Sequence, residues 1–177
     1  MPQHTRLDGG LFGWARAHFS FARHAAPRRW DAREPDLVGQ LQSLFDSARG
    51  EYFEDGVRSK FSNRLVSFME EYGPPAVDAL DRVMMGHEDS RVAAEALRWI
   101  PYVTERVAYA QRLHLLEVKL FDPSPLLRGA AISGLESLHD ARAIGTLKTA
   151  LEKERLPRLR GNIQEALQEL EETQPGR

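Results

Sequence analysis

Residues 122–170 read DPSPLLRGAAISGLESLHDARAIGTLKTALEKERLPRLRGNIQEALQEL. Leu127-Arg128-Gly129 returns as Leu159-Arg160-Gly161, each with a proline two residues ahead, Pro125 and Pro157. Eight residues after each leading leucine comes another (Leu135, Leu167), and three further on a third (Leu138, Leu170). Between the copies, Ala143, Ile144, Leu147 and Leu151 form a second apolar stripe at helical spacing. One short helix, one turn, another helix and then the same again is the unit of a helical repeat array.

Outward from this stretch the same register continues. Val57, Val92, Leu127 and Leu159 head four copies, at intervals of 35, 35 and 32 residues. Four and eight residues after each header come Phe61/Leu65, Ala96/Ile100, Ala131/Leu135 and Ile163/Leu167. Eleven after come Phe68, Val103, Leu138 and Leu170. Agreement at three offsets predicts four helix pairs over residues 36–172. An isolated pair cannot bury its apolar stripes, so neighbours stack and share a core.

Turn residues place the boundaries. Asp36 is read as the N-cap of the first helix, which Gly50 ends. Asp55-Gly56 is read as opening the second, with Gly73 at its C-terminus and Pro74-Pro75 starting the third, which stops at Gly86. Asp89 or Ser90 caps the fourth, Thr104 the fifth and Ser124, ahead of Pro125, the sixth. Asp140 starts the seventh and Pro157 lies in the first turn of the eighth. That last helix is rich in Gln and Glu, which suits a terminal repeat with one face in water.

These residues resemble HEAT repeats, in particular the short bacterial type also found in phycobilin lyase-like proteins. Residues 122–138 carry the clearest copy: a turn aspartate (Asp122), an apolar-Arg pair (Leu127-Arg128), an alanine (Ala131) and a leucine. The resemblance is good over 75–170, weaker over 36–72 and absent before that. It implies an all-α, right-handed α-solenoid of about four HEAT-like helix pairs. It also implies a ladder between repeats, in which a turn acid bonds the arginine six residues later. Asp122/Arg128 and Glu154/Arg160 have that spacing, whereas His87/Ala93 and Tyr52/Arg58 depart from it.

Residues 1–35 are different in kind. Before Glu34 six arginines face Asp8 and Asp31, and the remaining chain holds 18 basic against 24 acidic residues. Leu11, Trp14, Ala15, His18 and Ala22 fit one face of a short docking helix, but a loosely ordered basic extension is the preferred reading, since disorder concentrates at termini. Residues 173–177 form a short tail. No cysteine occurs, which excludes disulfides and thiolate chemistry. No apolar run approaches the roughly 18 residues of a membrane span, and no secretory-signal core is evident. A cytoplasmic protein is expected.

Little in the chain points to catalysis. The six histidines are scattered, none in HExxH spacing. The HEAT-type deoxyhypusine hydroxylases hold two irons with several His-Glu pairs, and here only His87-Glu88 occurs. A tetrapyrrole lyase activity has no residue signature of its own. No phosphate-cradling glycine loop or Ser/His/Asp grouping appears. The chain is therefore read as a non-enzymatic scaffold or adaptor with no cofactor and no metal, binding a protein partner along its second helices. With Leu127, Ala131, Leu135 and Leu138 inward, helical geometry sends Ser133 and Glu136 outward. The same offsets select Asn63, Arg98 and Gln168, and Tyr102 lies beside them.

The alternative is nucleic acid. Alkylpurine DNA glycosylases are built of HEAT-like helices and use a tryptophan and a carboxylate in a basic channel. Trp99, Arg98, Arg91 and Tyr102 resemble a fragment of such a surface, and the basic arm could touch RNA. The acidic repeat body weighs against this, because phosphate contact requires clustered Lys and Arg. Trp99 also aligns with Gly134 and Ala166 on the buried stripe, which favours a core role.

Overall fold

The computed structural model describes residues 36–86, 89–104 and 106–173. Contacts divide the chain into 1–35 and 36–177, and every described residue lies in the second unit. The expected docking helix or basic extension of 1–35, and residues 174–177 of the tail, lie outside the described residues.

The described chain is all helical: α1 Leu37–Ser47, α2 Lys60–Tyr72, α3 Pro74–Gly86, α4 Ser90–Trp99, α5 Tyr109–Lys119, α6 Pro125–Leu138, α7 Ile144–Lys153 and α8 Pro157–Glu172. Short 3-10 turns, Ile100–Tyr102 and Ala141–Ala143, follow α4 and precede α7. The even-numbered helices pack in series, α2 on α4, α4 on α6 and α6 on α8. Beside them α1 packs on α3 and α3 on α5, while α5 crosses to α6 and α7 to α8. The result is two layers with a shared apolar seam. Val92, Leu127 and Leu159 are buried in it, with Phe61, Leu65, Ala96, Ile100, Ala131, Leu135, Ile163 and Leu167 beneath them.

Two helix starts and one cap differ from the sequence reading. Asp55-Gly56 sits in a turn, and α2 starts later because Ser59 and Ser62 form a reciprocal capping box. Val57 is consequently outside the helix and 49% exposed, and Met69 takes the buried place at the end of that stripe while Phe68 is only half-buried. Thr104 does not cap α5. Its hydroxyl donates to Glu70 at 2.7 Å, and α5 begins after Ala108, which adopts φ 49°. The Ser124 hydroxyl makes no cap, and Asp122 instead accepts the Ser124 backbone N–H at 2.9 Å.

One helix crossing depends on a missing side chain. At Gly134 of α6 an added Cβ would lie 2.6 Å from Leu116 Cδ2 and 2.9 Å from the Leu97 carbonyl oxygen. Glycine there lets α6 approach α4 and α5 closely. Arg112, fully buried, secures the connection before α5 by donating to the carbonyls of Ile100, Pro101, Thr104 and Val107. No described helix is long and apolar enough to cross a membrane.

Candidate functional site

On the α2–α4–α6–α8 layer lies a groove of about 1000 Å³. Its floor is built by α4, where Glu95 and Trp99, one turn apart, share a face. The indole Nε1 donates to Glu95 Oε1 at 2.7 Å, and Arg98 Nη1 lies 3.5 Å from the other carboxylate oxygen. Glu95 is only 2% exposed. Burial pushes its pKa above the usual carboxylate range, opposed by the indole hydrogen bond and the Arg98 charge.

Above this pair the groove is aromatic and cationic. The Arg58 guanidinium stands 5.4 Å over the Trp99 ring, whose other neighbour is Tyr102 at 5.1 Å between centroids. Leu126 and Leu156, at the starts of α6 and α8, are 40% and 43% exposed and form apolar shelves. Gly129, Ala130 and Ser133 keep the α6 wall low, and Arg158 stands at the α8 end. Because the indole and Arg98 already engage Glu95, the α4 floor presents rings and guanidiniums rather than a free carboxylate, and the acids open to a ligand are Glu54 and Asp55 in the loop ahead of α2.

Of the six expected contact residues, Arg98, Tyr102 and Ser133 line this groove. Asn63 is exposed and bonds its own helix through Ser59 O. Glu136 is half-buried near Glu169, and burial pushes its pKa up, helped by the hydrogen bond with Glu169. Gln168 bonds Glu172 near the far end of α8. Arg91 of the glycosylase-like fragment is ion-paired to Asp89 and is not part of the groove lining. Trp99, expected in the core, is nearly buried yet forms a wall of the groove.

The ladder residues divide by repeat. Arg128 of α6 donates to both Glu154 oxygens and also to the carbonyls of Asp122 and Pro123. The Asp122 carboxylate serves its own turn, and no ion pair reaches it among the described residues. Arg160 donates to the carbonyls of Leu151 and Glu154. Arg128 thus reaches the acid of the following turn rather than that of its own, whereas Arg160 bonds backbone carbonyls.

Sequence reasoning missed Arg58, Glu95, Leu126, Leu156 and Arg158. The i, i+4 spacing of Glu95 and Trp99 was a usable signal, and exposed leucines beside buried ones were not. Among the described residues no cluster of three metal-ligating side chains occurs. No family model, curated protein or solved structure matches the chain.

Proposed function

We propose that the two helical layers form a HEAT-like α-solenoid acting as an intracellular, non-enzymatic scaffold, and that the groove is where a protein partner docks. The observation carrying this is the exposure of Leu126, Leu156 and Tyr102 on one groove flanked by charges of both signs. Apolar anchors inside a polar rim are the composition of protein interfaces. The test is quantitative affinity capture from the source cell with the wild-type chain and with Leu126→Asp/Leu156→Asp. An identified protein retained in near-equal amount by the wild type and lost with the double variant supports docking. A capture profile unchanged by the double variant overturns it.

A second reading has its own observation. Trp99, Tyr102, Arg58, Arg98 and Arg158 together line the groove, and stacking rings with arginines suit single-stranded nucleic acid. Glu54, Asp55 and Glu95 in the same lining offset those three positive charges, which favours protein. Filter binding at low and moderate salt separates the readings, since phosphate contact requires a steep salt slope.

A further inference from the structure

The groove is electrically polar along its length. Its lining runs from the loop ahead of α2 (Glu54, Asp55), across the α4 floor, to Arg158 on α8. Packing order α2, α4, α6, α8 sets these groups at opposite ends of the layer. Glu95 is engaged by Trp99 and Arg98, whereas among the described residues Glu54, Asp55 and Arg158 make no ion pair. Arg58, in the same loop, lies over the Trp99 ring and offsets one of the two acids, so the charge left over is acidic at the α2 end and basic at the α8 end. Between them lie Trp99, Tyr102, Leu126 and Leu156.

From this we infer that the occupant is an extended peptide segment of split charge: basic side chains over Glu54 and Asp55, an apolar pair in the middle, and acidic side chains at Arg158. This rests on the protein-docking reading and adds composition and orientation to it. The lengths agree. Three helix-to-helix steps of about 8–10 Å span about 24–30 Å, and eight extended residues cover about 26 Å. Opposed charge ends fix orientation and register more than they add affinity.

Fluorescence anisotropy with three labelled peptides of one composition tests it: KKGLFGDD, its reverse DDGLFGKK, and the mixed control KDGLFGKD. One of the split-charge peptides should bind about fivefold tighter than the control, as expected for ion pairs on an accessible rim. Arg158→Glu, an exposed substitution, should remove that advantage, and KKGLFGKK should bind this variant better than it binds the wild type. Equal affinities for the three peptides, still abolished by Leu126→Asp, overturn the charge inference and leave groove docking standing. Absence of binding by all of them, or binding indifferent to Leu126→Asp, overturns both. Circular dichroism of each variant confirms that it is folded.

Discussion

Arg128 on α6 spans 26 positions of sequence to grip both carboxylate oxygens of Glu154, at 2.7 and 3.2 Å. The same carboxylate accepts the backbone N–H groups of Arg155 and Leu156, so one buried acid joins a helix of one pair to the turn inside the next. The guanidinium holds the Glu154 carboxyl down at about 2.

Removing this acid should be expensive, because the Arg128 guanidinium would remain without its countercharge. Glu154→Gln should lower stability at pH 7 by about 3 kcal/mol, as for broken buried pairs, measured by urea unfolding. The pH sign follows from a folded pKa lying below the unfolded value of 4.5. The stabilisation is complete above about pH 4.5 and disappears as pH falls toward about 2. Asp140, held near 2 first by its hydrogen bond from Arg142, loses its share on the same acid side. The variant should show a shallower acid limb, by up to one proton.

Glu95 should behave oppositely although it is equally hidden. Its folded pKa is raised, so the unfavourable contribution of its charge sets in as pH climbs from the unfolded value through the folded one. Glu95→Gln keeps an acceptor for the Trp99 N–H and removes the buried charge. It should be at least as stable as the wild type at pH 7, with no such advantage at pH 4. A clear loss at pH 7 would show that the Arg98 contact outweighs desolvation.

Two helical glycines should respond in contrary directions. Gly134→Ala drives a methyl into Leu116 and the Leu97 carbonyl, and should destabilise by about 1–3 kcal/mol. Gly161→Ala, on α8 with nothing within 4 Å of the new Cβ, should stabilise by about 0.5–1 kcal/mol. Thermal unfolding of the pair reads both.

Arg112→Met should strand the carbonyls of residues 100–107 and lower stability by about 3–5 kcal/mol. Arg112→Lys should recover less than half of that, since one ammonium cannot reproduce the fork. Hydrogen exchange should speed first between Ile100 and Ala108.

Periodicity alone determined the helices and most of the seam. Val92, Leu127 and Leu159 lie where a 3.6-residue repeat must bury them, since an apolar stripe has to face another. Capping was less legible. Ser59 rather than Asp55 starts α2, and Thr104 turns to Glu70 instead of α5, because short polar side chains choose among several nearby backbone partners and tertiary neighbours decide. Only the packed chain decided where Arg128 finds its acid and which leucines stay outside. Leu126 and Leu127 are neighbours in sequence, yet one lines the groove and the other the core. Periodicity turns Leu126 off the buried stripe, but only the packing of α6 against α4 and α8 leaves its face open as a groove rather than covered.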